Sequence, residues 1–273
     1  MALWALDLDG VVWLGDRAIV GASAAIARLG AAGHGVLYCT NNSASTIDGY
    51  RRKLASFGIA ALPEQILTSA VAVAGLVPAG ASVLCAAGPG VVEALRERAE
   101  RVDLAWESTE PRYDAVVIGF HREFGYESLQ RIVRAVLDGA RLFATNDDPI
   151  YPASDGPAPG CGAFLSAVEA ATGTTAVVAG KPNAAMVDLV RARAAALSTR
   201  SAGGAYAGPD SIMVGDSPRT DGALAAALGW PFGLVLTGNT GASDSAAVAA
   251  ADYVATSLGD LVDQLLAAGS GRA

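Results

Sequence analysis

Short apolar runs alternate with longer amphipathic runs along most of this 273-residue chain. Residues 3–8, 35–39 and 82–86 are mostly apolar runs of strand length. Residues 22–32 and 46–57 instead space their apolar side chains at the period of a helix. Strands that alternate with helices build βα units, so the pattern predicts an α/β fold around a mostly parallel sheet.

The same pattern continues to the end of the chain and sets several further boundaries. It predicts strands over 115–119, 141–144, 211–214 and 233–236, and helices over 91–101, 127–138, 163–171, 184–197 and 220–228. Residues 146–162 hold four prolines and are predicted to form a loop. Residues 198–209, rich in Gly and Ser, are predicted to form a surface loop.

Composition excludes several classes of protein. Hydrophobic residues make up 52% of the chain and charged residues 17%, which is enough apolar material for a full core and excludes a disordered chain. The 27 acidic and 19 basic residues give a net charge of −8. That charge repels nucleic acid and anionic membranes, so neither is an expected partner.

Two long uncharged stretches, between Glu64 and Glu93 and between Asp221 and Asp244, are long enough to span a bilayer. Glycines and prolines interrupt both, so we expect buried α/β segments instead. The first residues carry no basic charge ahead of an apolar run, which argues against a signal peptide. The three cysteines fit neither a disulfide framework nor a zinc site. We therefore expect buried thiols and a cytoplasmic protein.

Acidic side chains follow two of the predicted strands. Asp7 and Asp9 come at the end of the first strand, and Asp216 and Asp221 follow a strand near the other end of the chain. In open α/β sheets, reacting groups lie just beyond the carboxyl ends of the strands. Such carboxylates can hold a hard divalent cation and supply a nucleophile. Turn formation and helix capping are the alternatives.

Two further strand-end loops carry groups suited to an anion. The run Thr40-Asn41-Asn42-Ser43 offers a hydroxyl and backbone N–H groups at a helix start, although it also fits ordinary capping. Lys181, between Gly180 and Pro182, is either a surface lysine or a compact positive charge for a phosphate. Together the four loops supply what phosphoryl transfer through an aspartyl phosphate requires.

The order of these motifs resembles that of the haloacid dehalogenase superfamily of Mg²⁺-dependent phosphatases. The motifs are D-x-D-G at 7–10, T-N-N at 40–42, G-K-P at 180–182 and G-D-x-x-x-T-D at 215–221. The flanking residues are similar to the NagD/p-nitrophenyl phosphatase-like subfamily; they include Val11-Val12-Trp13, Thr68-Ser69-Ala70, Ala144-Thr145-Asn146-Asp147-Asp148-Pro149, Pro159-Gly160-Cys161-Gly162 and Leu236-Thr237-Gly238. The resemblance covers nearly the whole chain.

The resemblance implies a Rossmann-like parallel-sheet core with an inserted α/β cap domain of the C2 type. The core would comprise residues 1–74 and 179–273, and the cap, which would govern substrate specificity, residues 75–178. It also implies a Mg²⁺ cofactor and hydrolysis of small phosphorylated metabolites through an aspartyl-phosphate intermediate. Caps of this kind often dimerise, which leaves a homodimer open.

The resemblance also implies a role for each motif residue. Asp7 would be the nucleophile and Asp9 the general acid and base, with its backbone carbonyl facing the metal. Thr40, the Asn41 amide, Asn42 and Lys181 would bind the phosphate, and Lys181 would also contact the nucleophile. The metal site would comprise Asp7, Asp9, Asp216 and Asp221. In the cap, Asn146 and Asp148 would face the substrate.

Three other functions stay open at this point. A phosphotransferase could use the same core and pass the phosphate to an alcohol or sugar. A phospho-aspartate signalling module would share the acidic pocket but is the size of one ordinary domain and needs no acid such as Asp9. A phosphate-binding protein without turnover would not need all four motifs. Physiological substrates such as glycerol phosphate, pyridoxal phosphate, sugar phosphates and nucleotides are not distinguished by the sequence.

Overall fold

The computed structural model describes residues 2–153, 156–200 and 211–270. Its strands are β1 (Leu3–Leu6), β2 (Trp13–Leu14), β3 (Arg17–Ala18), β4 (Gly35–Thr40), β5 (Ile66–Thr68), β6 (Ser82–Ala86), β7 (Arg101–Leu104), β8 (Ala115–Ile118), β9 (Arg141–Ala144), β10 (Ile150–Ala153), β11 (Gly156–Pro159), β12 (Val177–Val178), β13 (Ile212–Gly215), β14 (Phe232–Val235) and β15 (Tyr253–Ala255). Its α-helices are α1 (Ala22–Ala31), α2 (Ile47–Ser56), α3 (Ser69–Leu76), α4 (Pro89–Arg96), α5 (Tyr126–Leu137), α6 (Cys161–Thr172), α7 (Ala184–Arg200), α8 (Ala223–Leu228), α9 (Ser245–Ala249) and α10 (Leu258–Ser270).

The chain divides into two compact units, each built from separated segments. The first comprises Met1–Thr40, Arg51–Leu67 and Val187–Ala273, and the second Asn41–Tyr50 and Thr68–Met186. The predicted boundaries of a functional cap, at residues 75 and 178, stay a prediction.

A six-stranded sheet forms the centre of the first unit, in the order β15-β14-β13-β1-β4-β5. The pairings from β15 through β4 are parallel. All four residues of β1 are buried, as expected for a central strand covered on both faces. Because β13 and β4 lie on either side of β1, the carboxyl ends of these three strands lie next to one another.

The second unit has its own five-stranded sheet, in the order β12-β9-β8-β6-β7, in which every pairing is parallel. Apolar residues of β6, β8, α5 and α6 form its core. The two parallel sheets confirm the predicted α/β class. No helix in the described parts of the chain is long and apolar enough to cross a membrane. All three cysteines are buried thiols, as predicted.

Four of the predicted boundaries are wrong or incomplete. The predicted loop over 146–162 contains an antiparallel hairpin of β10 and β11, in which Pro152 lies opposite Pro157. Prolines are tolerated there because an isolated ribbon has free edges that need no N–H donor. The helix predicted over 91–101 ends at Arg96, and Arg101 begins β7.

The helix predicted over 220–228 begins as a π-helix at Pro218–Gly222 and becomes α-helical only at Ala223. The loop predicted over 198–209 is wrong for its first three residues, because α7 continues to Arg200. The rest of that predicted loop lies outside the described residues.

Candidate active site

Three buried carboxylates lie close together in the first unit. Asp7 follows β1 directly and Asp216 follows β13 directly, so the parallel pairing of these strands brings the two acids to the same edge of the sheet. Asp221 lies in the π-helix Pro218–Gly222 that follows. One carboxylate oxygen from each residue lies within 4.8 Å of the other two.

This cluster fits a hard divalent cation. The exposed fractions of Asp7, Asp216 and Asp221 are 7%, 2% and 0%. Buried carboxylates at such distances repel one another strongly unless a cation neutralises them. Because the donors are all oxygen atoms, the set suits Mg²⁺ better than a metal that prefers sulfur or nitrogen.

The main chain around Asp216 leaves no space for it to move. Its Oδ2 accepts a hydrogen bond of 2.6 Å from the backbone N–H of Asn239. A Cβ atom at Gly10 or at Gly238 would overlap the Asp216 carboxylate. Gly10 also has a φ of +83°, which favours glycine, and its carbonyl accepts from Thr237 Oγ1 at 2.5 Å. Glycines at both positions therefore let two loops close around this carboxylate.

Asp221 is held in a similar way. Its Oδ2 accepts a hydrogen bond of 3.2 Å from the backbone N–H of Ser217. A Cβ atom at Gly215 would overlap the Asp221 side chain, so the last residue of β13 has to be glycine for this carboxylate to pack against the strand. The π-helical turn thus brings the buried Asp221 to Asp216.

The carboxylate of Asp9 has a different environment from that of Asp7. Asp9 Oδ1 accepts a hydrogen bond of 2.9 Å from the indole Nε1 of Trp13, whereas Asp7 Oδ1 accepts one of 2.8 Å from the Leu8 backbone N–H. The chain makes a left-handed turn at Gly10, directly after Asp9. The three-residue cluster does not include the Asp9 carboxylate.

Thr40 and Asn42 lie at and just beyond the end of β4. Thr40 is the buried last residue of that strand, which is the second parallel neighbour of β1. In the second unit, Asn42 Oδ1 accepts from the backbone N–H of Ala44 at 3.1 Å, and the Asn42 carbonyl accepts from Tyr50 Oη at 2.8 Å. The turn after β4 is therefore stabilised by Asn42. Phosphate binding by Thr40 and Asn42 stays a prediction.

Lys181 and Asn41 form a closely bonded pair in the second unit. Asn41 Oδ1 accepts from the Lys181 backbone N–H at 2.7 Å, and Asn41 Nδ2 donates to the Lys181 carbonyl at 3.2 Å. Lys181 is 2% exposed, which excludes the surface lysine that the sequence had left open. A Cβ atom at Gly180 would lie 2.6 Å from both Asn41 Oδ1 and the Thr145 carbonyl, so glycine is required there.

Asn146 and Asp148 follow β9 and are part of the same unit. Asn146 Nδ2 donates to Asp148 Oδ2 at 2.9 Å, and Asn41 Nδ2 donates to the same oxygen at 3.2 Å. Thr145 Oγ1 donates to Asn146 Oδ1 at 2.9 Å. Both predicted substrate-facing residues thus belong to a hydrogen-bonded network that includes Asn41.

Comparison with known proteins identifies the family. The family model for haloacid dehalogenase-like hydrolases matches residues 4–99, and a related hydrolase model of the same superfamily matches residues 178–261. Human chronophin is 31% identical over 280 residues, which cover 95% of this chain and 91% of chronophin. The chain belongs to the haloacid dehalogenase-like hydrolases. The predicted resemblance to this superfamily is confirmed.

Solved structures of haloacid dehalogenase-like phosphatases have the same fold. The p-nitrophenyl phosphatase from Archaeoglobus fulgidus superposes with a TM-score of 0.81 at 29% identity, covering 96% of this chain and 98% of that chain. The glycerol phosphate phosphatase from Mycobacterium tuberculosis, in complex with magnesium, has a TM-score of 0.76 at 28% identity, covering 95% of this chain and 75% of that one. This haloacid dehalogenase-like hydrolase is thus a phosphatase of a group that uses Mg²⁺.

The sequence did not indicate which residues support the acids of this hydrolase. Trp13 was noted only for its resemblance to the subfamily, although an indole four residues after Asp9 can reach its carboxylate. Gly238 likewise carries no signal in the sequence beyond that resemblance, and its close approach to Asp216 explains why this position is glycine. The catalytic and metal-binding roles of the individual residues stay predictions.

Proposed function

We propose that this phosphatase hydrolyses small phosphate monoesters by attack of an Asp7 carboxylate oxygen on phosphorus. The observation that carries the proposal is the buried cluster of Asp7, Asp216 and Asp221. A bound Mg²⁺ ion would keep the three acids ionised and would neutralise charge on the phosphoryl oxygens. A carboxylate that stays ionised beside a phosphate ester is a competent nucleophile.

The reaction has two steps. In the first, a bond forms between Asp7 and phosphorus, the bond between phosphorus and the ester oxygen breaks, and Asp9 gives that oxygen a proton. In the second, Asp9 takes a proton from water, and the water oxygen displaces Asp7 and releases inorganic phosphate. The hydrogen bond from Trp13 to Asp9 Oδ1 keeps this carboxylate in a fixed orientation, which supports its use as acid and base.

The other motif residues serve the phosphoryl group in this proposal. The ammonium of Lys181 offsets negative charge that develops on the phosphoryl oxygens. The hydroxyl of Thr40 and the backbone N–H groups of Asn41 and Asn42 donate hydrogen bonds to the same oxygens. Support comes from burial of Thr40 and Lys181, since shielding from water strengthens such interactions.

Small phosphorylated metabolites are the proposed substrates. Support comes from two of the compared phosphatases, which are named for p-nitrophenyl phosphate and for glycerol phosphate. A cap over residues 75–178 that excludes bulky esters stays part of the proposal, as does a homodimer. Cytoplasmic localisation also stays a prediction.

A panel of phosphate esters tests this function directly. Purified wild-type protein is assayed for phosphate release with and without Mg²⁺, using p-nitrophenyl phosphate, glycerol phosphate, pyridoxal phosphate, sugar phosphates, nucleoside monophosphates and a phosphopeptide. The proposal expects Mg²⁺-dependent release from at least one small ester. Preference for the phosphopeptide, or no release from any ester, would contradict it. Transfer of the phosphate to added glycerol would indicate a phosphotransferase instead.

A further inference from the structure

The main chain at Lys181 is held by a side chain that lies far away in the sequence. Asn41 bonds both the N–H and the carbonyl of Lys181, in the way that a neighbouring β-strand would. The Asn41 carbonyl in turn accepts from Ser69 Oγ at 2.6 Å. These hydrogen bonds hold the backbone of Lys181 in place as long as the Asn41 amide keeps its orientation.

An amide side chain has a donor end and an acceptor end, and turning it by 180° exchanges them. In this structure the NH₂ end of Asn41 points to Asp148 Oδ2 and to the Lys181 carbonyl. Its Oδ1 points to the Lys181 N–H. With the amide turned around, an oxygen would face an oxygen at Asp148, and an NH₂ group would face the N–H of Lys181.

Asp148 adds to the preference for the observed orientation, which the N–H and carbonyl of Lys181 also favour. An ionised carboxylate only accepts hydrogen bonds, so it bonds the NH₂ end of Asn41 and rejects the oxygen end. Asn146 donates to the same Oδ2 atom, and its own Oδ1 accepts from Thr145, which fixes the carboxylate in turn. Ser43 Oγ donates to Thr145 Oγ1 at 3.2 Å and connects the network back to the loop after β4.

We propose that Asp148 is a positioning residue, which orients the Asn41 amide and through it the backbone that carries Lys181. The inference rests on the proposed function, in which Lys181 offsets charge on the phosphoryl group. It differs from the role that the sequence suggested for Asp148, because a positioning residue acts equally on every substrate. A residue that contacts the leaving group would act on some substrates more than on others.

The test compares wild type with D148A, D148N and D147A. Asp147 is the exposed neighbour of Asp148, so D147A removes the same charge one residue away. kcat and KM are measured on p-nitrophenyl phosphate, glycerol phosphate, a sugar phosphate and a nucleoside monophosphate at saturating Mg²⁺. Circular dichroism spectra report whether each variant is folded.

For D148A we expect kcat to fall about 10- to 100-fold, by a similar factor on every ester, with KM changed less than about threefold. The reason is that a displaced ammonium weakens stabilisation of the transition state more than binding of the substrate. D148N retains one acceptor but also gains a donor, so its kcat should lie between those of D148A and wild type. D147A should behave as wild type.

Several outcomes overturn the inference. A changed order of preference among the esters in D148A would show a substrate contact, and an unchanged kcat would show no role. If kcat fell by the same factor in D147A, the effect would come from removing a negative charge from this loop and not from the contacts of Asp148. If D148A does not fold, kcat of D148N becomes the test. A D148N protein with the kcat of wild type would then overturn the inference. Inactivity of the wild type on all esters would contradict the proposed function. The ratio of kcat in a variant to kcat in wild type tests only the role of Asp148.

Discussion

The indole Nε1 of Trp13 donates a hydrogen bond of 2.9 Å to Asp9 Oδ1. The ring of Trp13 is almost completely buried, and the ammonium of Lys53 lies 4.4 Å from its centroid. The donor that holds the proposed general acid is therefore itself fixed by packing. If Asp9 is the general acid, the effect of replacing it should depend on how much the leaving group of the ester needs a proton.

We predict that D9N slows hydrolysis of an alkyl phosphate by about 10²- to 10⁴-fold but slows that of p-nitrophenyl phosphate much less. An alkoxide needs a proton as it leaves, whereas p-nitrophenolate does not. W13F, which removes the hydrogen bond to Asp9 but keeps an aromatic ring, should show the same trend with a smaller loss. Steady-state kcat on both esters is the measurement, and equal losses on the two esters would mean that Asp9 is not the acid.

Replacing Asp7, the proposed nucleophile, should abolish turnover without unfolding the protein. D7N is expected to lose roughly 10⁴-fold or more in kcat, because an amide cannot form the acyl phosphate. D16N is a matched control, since Asp16 is a fully exposed acid that lies 3.8 Å from Lys53 Nζ. Turnover near that of wild type in folded D7N would exclude Asp7 as the nucleophile.

The carboxylate cluster should bind Mg²⁺, and activity should be lost when the ion is removed. We expect chelation to abolish phosphate release and added Mg²⁺ to restore it. D216N, which removes a charge from the cluster, should weaken Mg²⁺ binding at least 10-fold in a calorimetric titration, whereas D16N should not. Full activity after exhaustive chelation, or unchanged Mg²⁺ affinity in D216N, would be incompatible with this site.

Two glycine substitutions should have opposite effects. In G238A the new Cβ would overlap the Asp216 carboxylate, so we expect both stability and Mg²⁺ affinity to fall. G30A places a methyl group in open space within α1 and should stabilise the protein by about 0.5–1 kcal/mol, because alanine favours a helix. Thermal unfolding and a Mg²⁺ titration of both variants are the measurements. A G238A protein with wild-type Mg²⁺ affinity would show that Asp216 is free to move.

The cysteines should be unreactive in the native protein. Burial raises the pKa of the Cys85 thiol to about 12 and that of Cys161 to about 11. Both thiols are therefore protonated at pH 8, and the thiolate is the form that reacts. We expect negligible modification by iodoacetamide at pH 8 in the folded state and modification of all three cysteines in denaturant, measured by mass spectrometry. Rapid labelling of a cysteine in the folded protein would show that the unit containing it opens readily.

The sequence was sufficient to place the acids at strand ends. Asp7 and Asp216 follow short apolar runs, and parallel strands align their carboxyl ends, so the pattern predicts both residues at the same edge of the sheet. The structure adds that β1 and β13 are neighbours, which brings the two acids together. Asp221 was harder to place, because the prediction had a regular helix where the chain makes a π-helical turn.

The contacts of side chains with distant backbone could not be predicted. Asn41 was expected to bind phosphate, and nothing in its flanking residues indicates that its side chain spans the peptide groups of Lys181, 140 residues later. The hairpin of β10 and β11 was missed because its prolines are typical of loops. In both cases the deciding interaction joins residues whose proximity is known only once the fold is known.

Pairing of β1 with β13 determines when the acidic cluster can form during synthesis. The backbone N–H of Leu3 bonds Ser211 Oγ, 208 residues later in the chain. At a translation rate of roughly 5–20 residues per second, the ribosome makes the second strand about 10–40 s after the first. Until then β1 lacks one neighbour, and Asp7 is translated long before Asp216 and Asp221. A nascent chain arrested before Ser211 would thus carry the proposed nucleophile without Asp216 and Asp221, and the proposed Mg²⁺ site could assemble only after these two residues have been made.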